Sequence, residues 1–210
     1  MNAESTQIVH LAVYEGLADW EIGHAVATVR SGEWQRSPGR YDVVTVGHSG
    51  APVTTMGGVT VLPDITLAQL KPSTSSMLIL PGAASWDTDP ESMTSFASAA
   101  GIFLDAGVPV AAICGATAGL AREGLLDYRD HTSAAPEYLL ATGYTGAGRY
   151  RNALAVTDDG LITAGPTAPI EFAREIFAQL DLFAPRTLEA WYRLHAQHDA
   201  GAYFALTEGA

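Results

Sequence analysis

Short apolar segments that alternate with helical patterns constrain the fold of this chain more than any other feature. The apolar segments predict buried strands at residues 7–13, 41–46, 76–80 and 109–113. Helical patterns separate or follow them, at residues 18–31, 67–70, 91–106, 116–124, 169–182 and 187–198. Parallel strands need a long crossover connection, which is usually a helix. The alternation therefore predicts an α/β fold, in which helices cover both faces of a mainly parallel central sheet.

Two pairs of shorter extended segments predict hairpins. Val53-Thr54 and residues 59–61 flank Gly57-Gly58, and residues 153–156 and 161–163 flank the turn Asp158-Asp159-Gly160. The sequence contains no internal repeat and no long linker, so we predict a single domain over residues 1–210.

Composition excludes several classes of protein. Hydrophobic residues make up 48% of the 210 residues and charged residues 16%, which is typical of a globular chain. The formal net charge of −12 argues against nucleic acid or an anionic membrane as a partner. A single cysteine makes no internal disulfide, the six histidines show no metal-like pairing, and no cofactor is indicated. Residues 1–6 lack the features of a signal peptide and no apolar run has membrane length, so we expect a soluble cytoplasmic protein.

The one cysteine, Cys114, lies where a reactive nucleophile would be built. It follows the predicted strand 109–113 and precedes small residues that lead into the predicted helix 116–124. A residue on such a tight strand-to-helix turn presents its side chain at the carboxyl end of the sheet. The N-terminus of the following helix favours the thiolate, so we expect a lowered pKa for Cys114. The alternative is an inert, buried apolar thiol.

Two further loops converge on the same end of the predicted sheet. The loop after the first strand carries Asp19 and Glu21 at the opening of a helix, where a carboxylate can approach the cysteine. The loop after strand 76–80 contains Gly82 and Ala83, whose N–H groups, together with that of Gly115, can bind an oxyanion. Ordinary first-turn acids and an ordinary strand-to-helix connection explain the same residues without any chemistry.

Taken together, these segments resemble the ThiJ/PfpI family. The resemblance rests on the elbow around Cys114, the preceding Leu-Pro-Gly-Ala at 80–83, the acid loop at 16–21, the return at 124–133 and the closing strand and helix at 161–173. The family includes the protein deglycase, PfpI-type intracellular proteases and isonitrile hydratase. It implies a flavodoxin-like three-layer sandwich similar to class I glutamine amidotransferases. It covers a core of about 7–183 and leaves a C-terminal helical extension at 184–210.

The resemblance also implies roles for individual residues. Cys114 matches the reactive cysteine, and Glu21 matches the carboxylate that hydrogen-bonds its sulfur. Ala83 stands where a second glycine is usual. Gly115 and Ala134 stand at the two positions where family members place a histidine, so no complete triad is visible. His131, three residues before Ala134, is retained as a candidate catalytic residue, and His24, one turn after Glu21, is a second substitute.

The leading hypothesis is an enzyme in which Cys114 attacks a small electrophile, such as an aldehyde, a dicarbonyl or a nitrile-like group. Glu21 would move the proton, since its burial should raise its pKa. A non-catalytic redox sensor or stress-response protein that acts through oxidation of Cys114 is the main alternative. A peptidase or amidotransferase is disfavoured by the missing histidine, and a scaffold without chemistry stays open. The expected partners are a small-molecule substrate and a second copy of the chain. The resemblance implies a homodimer, and Trp20 and Trp34, in or beside the first predicted helix, are large aromatic residues of the kind enriched at interfaces, although a monomer could also bury them.

Overall fold

The computed structural model describes residues 6–208. Its strands are β1 (Gln7–Ala12), β2 (Tyr41–Gly47), β3 (Val53–Thr54), β4 (Thr60–Val61), β5 (Ile65–Thr66), β6 (Met77–Leu80), β7 (Val110–Ile113), β8 (Ala155–Asp158) and β9 (Leu161–Ala164). Its α-helices are α1 (Asp19–Ser31), α2 (Ser85–Thr88), α3 (Pro90–Asp105), α4 (Gly115–Arg122), α5 (Pro136–Leu140), α6 (Pro169–Gln179), α7 (Pro185–Ala196) and α8 (Ala202–Glu208). The N-terminal segment on which the signal-peptide prediction rests lies outside the described residues, apart from Thr6.

A seven-stranded sheet in the order β5-β2-β1-β6-β7-β9-β8 forms the centre of the fold. All neighbouring strands are parallel except β8, which runs antiparallel to β9. Helices α1, α6, α7 and α8 pack as one group, and helices α2, α3, α4 and α5 as another. Strands β6, β7 and β9 are buried at every residue, as their apolar sequences require. The predicted flavodoxin-like, three-layer α/β architecture is confirmed.

Both predicted hairpins are present, and the second is shifted. Strands β3 and β4 pair with Val53 opposite Val61. In the second hairpin Asp158 lies opposite Leu161, so β8 begins two residues later than predicted. Asp159 and Gly160 both adopt positive φ, 45° and 76°. A two-residue turn of this kind leaves the flanking residues directly opposite each other, which fixes the pairing at Asp158.

Some local features are not evident from the sequence pattern. His131 lies outside the named strands and forms an isolated bridge to Tyr150. Trp20 is 52% exposed, because the buried residues of α1 are Glu21, Ala25 and Val29. The short helices α5 and α8 carry patterns too brief to detect from periodicity. Within residues 6–208, no helix combines the length and the apolar character that crossing a bilayer requires.

Candidate functional site

Cys114 occupies a strained turn between β7 and α4. Its φ of 57° and ψ of −127° lie in a region that residues with a side chain rarely adopt. The turn is held by two hydrogen bonds, from Cys114 N–H to the Ala164 carbonyl (3.0 Å) and from Thr117 Oγ1 to the Cys114 carbonyl (2.6 Å). The conformation leaves the thiol partly accessible at the carboxyl end of the sheet. The predicted elbow is therefore present.

Close packing against Trp86 explains the small residues that follow the cysteine. A Cβ added to Gly115 would lie 3.1 Å from the Ala83 carbonyl oxygen and 3.1 Å from the Trp86 Cβ. A Cβ added to Gly119 would lie 2.2 Å from Trp86 Cζ3. Trp86 is buried, and its Nε1 donates to the Pro81 carbonyl at 3.1 Å, so the indole is held in place. Helix α4 can approach the loop after β6 only because these two positions lack a side chain.

The loop after β1 delivers Glu21 to the cysteine. The Ala18 N–H donates to the Gly82 carbonyl (2.9 Å), which joins this loop to the loop after β6. Glu21 is buried, and its Oε2 accepts from the Gly82 N–H at 2.6 Å. A Cβ added to Gly82 would lie 2.7 Å from Glu21 Oε2 and 3.0 Å from Cys114 Sγ. The carboxyl and the thiol thus meet beside Gly82, as the resemblance implied.

Asp19, the other acid of that loop, serves the structure. Its Oδ2 accepts from the Gly57 N–H at 2.6 Å, and this bond ties α1 to the β3–β4 hairpin. Hydrogen bonds from Thr55 and Gly57 lower the pKa of the Asp19 carboxyl. Of the two first-turn acids, only Glu21 points into the site.

The expectation of a lowered pKa for Cys114 is wrong. Burial raises the pKa of the thiol to about 12, and the charge and hydrogen bonding of Glu21 act in the same direction. The Gly115 N–H lowers the pKa of the thiol, but its effect is smaller than that of burial and of Glu21. A helix N-terminus favours a thiolate, whereas a buried carboxylate beside the sulfur opposes a second negative charge.

Glu21 is shifted in the predicted direction. Burial raises the pKa of its carboxyl, and hydrogen bonds from Gly82 and Cys114 offset part of that increase. Oε1 of Glu21 is buried without a hydrogen-bond partner among the described residues. Between the titration of Glu21 and that of Cys114, the two groups hold one proton and one negative charge between them. This arrangement suits transfer of a proton from the sulfur to the carboxylate.

Two of the three predicted oxyanion donors make no hydrogen bond to an oxygen atom of the described residues, although the N–H of Gly115 interacts with the Cys114 sulfur. No oxygen atom within residues 6–208 accepts from the N–H of Ala83 or of Gly115. The prediction that the Gly82 N–H binds an oxyanion is wrong. This N–H already donates to Glu21 Oε2 and so positions the carboxyl. Ala83 has a negative φ, so an alanine fits at a position where the resemblance implied a glycine.

No histidine among residues 6–208 forms a hydrogen bond with Cys114. His131 is buried, with Nδ1 bonded to the Arg129 carbonyl (2.8 Å) and Nε2 to the Tyr144 hydroxyl (3.1 Å), and burial lowers its pKa. His24 packs instead against Trp191 and His195, with ring centroids 5.9 Å and 5.2 Å away. The structure brings neither imidazole to the thiol, and Ala134 is exposed at the position where the resemblance would place one.

Sequence reasoning missed two residues near the thiol. Asp87 is exposed on α2, and its charge contributes to the raised pKa of Cys114. Tyr138 on α5 donates its hydroxyl to Asp87 Oδ1 at 2.8 Å. Burial, followed by this bond and the Asp87 charge, raises the pKa of the Tyr138 phenol. Asp87 could have been noticed as an acid shortly after Gly82, whereas Tyr138 lies on a helix that the pattern does not reveal.

Two cavities lie next to segments that pack near the elbow, although Cys114 lines neither of them. One of about 600 Å³ is lined by residues that include Tyr14 and Ser85, and another of about 360 Å³ is lined by residues that include Ser133 and Ala134. A groove of about 610 Å³ between α1 and α7 is lined by His24 and His195 and lies away from the thiol. Residues 6–208 contain no cluster of three or more His, Cys, Asp or Glu side chains that could hold a metal ion.

Comparisons with known proteins agree with this geometry. The chain is 38% identical over 204 residues to a Bacillus subtilis (strain 168) protein named uncharacterized protease YoaZ, with 96% of each chain covered. It is 30% identical over 179 residues to uncharacterized protease YdeA of the same organism, covering 84% of this chain and 85% of that one.

Solved structures show the same similarity in three dimensions. A thiJ/pfpI family protein from Bacillus anthracis superposes with a TM-score of 0.90 at 36% identity, covering 98% of this chain and 99% of that chain. A DJ-1 superfamily protein from Agrobacterium tumefaciens gives a TM-score of 0.81 at 32% identity, covering 92% of this chain and 100% of that one. The sequence profile of the DJ-1/PfpI family matches residues 7–179, which is most of the chain. The elbow, the sheet and these similarities lead to one assignment: the chain belongs to the DJ-1/PfpI family.

Proposed function

We propose that this protein is a cysteine-dependent enzyme that acts on a small electrophile such as an aldehyde or a dicarbonyl. One observation carries the proposal: the Cys114 thiol, on a strained elbow, meets the buried Glu21 carboxyl beside Gly82. Strain of this kind is concentrated at functional sites, where the surrounding structure maintains it. A nucleophile with an adjacent base is the arrangement that covalent catalysis requires.

The proton follows a short path in this proposal. As Sγ forms a bond to the carbonyl carbon, the thiol proton passes to the Glu21 carboxylate and the carbonyl electrons move to the oxygen. The N–H groups of Ala83 and Gly115 donate to that oxygen, and the Glu21 carboxyl then returns the proton to give a neutral hemithioacetal. With a dicarbonyl, the C–H proton of the hemithioacetal moves to the adjacent carbon and its hydroxyl proton moves to the adjacent oxygen, which gives a 2-hydroxy thioester. Water then cleaves the thioester to a hydroxy acid and the free thiol. A raised pKa makes Glu21 a stronger base for the first step.

A redox-sensing role in oxidative stress is the second candidate. The partly accessible Cys114 sulfur can be oxidised to sulfenic and then sulfinic acid, and a protonated Glu21 would donate to the new oxygens. The high pKa of the thiol weighs against this role, because the thiolate is the species that peroxide attacks.

Peptide cleavage is the function suggested by the names of the two Bacillus subtilis relatives. A cysteine peptidase needs an imidazole that activates the thiol and protonates the leaving amine. In this chain both ring nitrogens of His131 are bonded to other groups, and His24 lies against α7. Addition to a small aldehyde releases no amine, and the Glu21 carboxyl can take the thiol proton, so the reaction needs no imidazole.

Parallel assays separate the three candidates. Turnover of methylglyoxal is measured beside cleavage of casein and short peptides, with Cys114→Ser as the control. We expect aldehyde turnover that the Cys114→Ser substitution abolishes, and no peptide cleavage. Cysteine-dependent cleavage of peptides without aldehyde turnover would contradict the proposal. Stoichiometric modification by peroxide, with no turnover of either substrate, would support the sensor.

A further inference from the structure

The opening of the Cys114 site is bordered by a hydrogen-bonded pair from two helices. Asp87 follows Trp86, whose Cβ lies 3.1 Å from a Cβ added to Gly115, so α2 abuts the residue next to the cysteine. Tyr138 reaches Asp87 from α5, which packs against α4. Asp87 is exposed and Tyr138 is half-buried, so both lie on the solvent side of the elbow.

The Asp87 carboxylate is not neutralised by a neighbouring cation. Within residues 6–208 it has no ion pair, and the Tyr138 hydroxyl is the side-chain donor that reaches it. Arg122 on α4 directs its Nη1 to the Trp86 carbonyl at 2.8 Å rather than to this carboxylate. Asp87 therefore places a negative charge on the solvent side of the elbow. Glu21 and Cys114 share a second negative charge inside the site.

This charge reaches the sulfur and the phenol. The negative charge of Asp87 raises the pKa of Cys114, although burial and Glu21 contribute more, and it also raises the pKa of Tyr138. Tyr138 therefore stays protonated and remains a donor at neutral pH, while Asp87 Oδ2 remains available as an acceptor. An incoming anion would be repelled, whereas a cation or a hydrogen-bond donor would find a partner.

We propose that Asp87 and Tyr138 form a recognition subsite at the opening of the Cys114 site, which selects electrophiles that carry a positive charge or a hydrogen-bond donor beside the reacting carbon. Amino- and hydroxy-substituted aldehydes fit this description, and 2-oxo acids with a free carboxylate do not. The inference rests on the proposed role of Cys114 as the nucleophile, but its test does not require turnover.

The test measures how charge on a reagent alters the rate of modification at Cys114. Because Cys114 is the only cysteine, every thiol modification reports on this site. The probes are three methanethiosulfonates: the cationic trimethylammonioethyl reagent, the anionic sulfonatoethyl reagent and the neutral methyl reagent. At one pH the fraction of thiolate is common to all three reagents, so it cancels in the ratio of cationic to anionic rates.

Asp87→Asn should lower that ratio by roughly 3- to 10-fold, the size expected for one partly exposed charge acting on two reagents of opposite sign. The matched control is Glu137→Gln, an exposed carboxylate next to Tyr138 that is not among the charges acting on the thiol, and it should leave the ratio unchanged. Tyr138→Phe keeps the charge and should keep the ratio. Higher salt should lower the ratio more in the unaltered protein than in Asp87→Asn, because the remaining charges of the chain are common to both proteins.

The proposal would be overturned if the ratio of cationic to anionic rates were the same in Asp87→Asn as in the unaltered protein. It would also be overturned if Glu137→Gln lowered that ratio as much as Asp87→Asn does. Absence of methylglyoxal turnover combined with the expected ratios would overturn the proposed enzyme and leave the charge selection standing. A fold-disrupting effect of Asp87→Asn would be seen as a shifted unfolding midpoint, and the same ratio measured in Asp87→Ser, which also removes the charge, then decides the question.

Discussion

At the scale of single residues, the proposed chemistry depends on the proton that Cys114 and Glu21 share. A helix N-terminus alone would favour the thiolate, and that reasoning predicts a reactive, acidic thiol. In the folded protein, burial and the adjacent carboxylate outweigh the single N–H of Gly115, and the pKa of Cys114 rises to about 12. In the proposed mechanism the thiol is therefore activated during attack, by transfer of its proton to Glu21, rather than by standing as a thiolate.

Glu21→Gln should lower the pKa of Cys114 from about 12 toward the ordinary thiol value of about 8.5, because it removes the nearest negative charge. The alkylation rate of Cys114 as a function of pH measures this change. Turnover of methylglyoxal should fall in the same variant, since the base is lost. The control, Asp19→Asn, removes a carboxylate bound to the hairpin and should leave the titration unchanged. An unchanged titration in Glu21→Gln would show that Glu21 does not act on the sulfur.

Glu21 also carries a prediction about stability. Its pKa is raised in the folded state, so the unfolded chain loses this proton first as pH rises. The free energy of unfolding should therefore fall as pH rises from the ordinary carboxyl pKa, about 4.3, through the higher folded value. Glu21→Gln lacks this loss. Urea unfolding should give similar stabilities near pH 4, roughly the ordinary carboxyl value, and a more stable variant near neutral pH. The prediction would be contradicted if Glu21→Gln matched the unaltered protein near pH 4 but were less stable than it near neutral pH.

At the scale of secondary-structure elements, the site depends on the approach of α4 to the loop after β6. Gly119 lies against the ring of Trp86, which is buried and hydrogen-bonded and therefore cannot move aside. The same contact keeps Gly115, and with it the elbow, beside Ala83. The packing of one indole thus determines where the thiol lies relative to the N–H groups of Ala83 and Gly115, the proposed oxyanion donors.

Gly119→Ala should destabilise the protein by roughly 1–3 kcal/mol, because the new methyl group would overlap the Trp86 ring. The matched control is Gly23→Ala in α1, where a Cβ meets no atom within 4 Å. That substitution should stabilise the protein by roughly 0.5–1 kcal/mol, as expected when alanine replaces glycine in a helix. Urea unfolding of both variants provides the measurement. Equal effects at the two positions would show that helix propensity alone, and not the contact with Trp86, governs them.

At the scale of the whole molecule, three large apolar side chains are exposed near one another on α1 and the β3–β4 hairpin. Trp20 on α1 and Met56 and Val59 around the β3–β4 hairpin are 52%, 53% and 57% exposed. The bond between Asp19 and the Gly57 N–H holds the helix and the hairpin next to each other, so these side chains share one region of the surface. Apolar regions of this kind commonly mark interfaces between proteins. We propose that a second copy of the chain covers this surface in a homodimer.

Light scattering at micromolar concentration should give twice the mass of the 22.1 kDa chain. Val59→Lys places a charge in the proposed interface and should shift the equilibrium toward the monomer. Leu154→Lys is the matched control, since Leu154 is similarly exposed, 54%, but precedes β8 at the other edge of the sheet. A monomer mass for the unaltered protein would refute the dimer, and dissociation by both variants would refute this surface as its interface.

The sheet, its covering helices and the position of Cys114 on an elbow follow from the sequence, because local patterns encode them. Short apolar runs followed by helical patterns allow only a mainly parallel sheet, and the carboxyl ends of its strands meet at one edge. That reasoning places Cys114 on an elbow and brings the loops that carry Glu21 and Ala83 toward it. These conclusions need only the spacing of residue types along the chain.

The remaining features arise from contacts between distant segments, which spacing does not reveal. The direction of the Cys114 pKa depends on how deeply the folded chain buries the sulfur and on the carboxylate beside it. Gly82 positions Glu21 rather than an oxyanion, because the carboxylate reaches its N–H first. His131 is directed to Arg129 and Tyr144, and Asp87 meets Tyr138 across 51 residues of sequence. Charge, burial and hydrogen bonding act through space, so only the tertiary structure decides which groups surround the thiol.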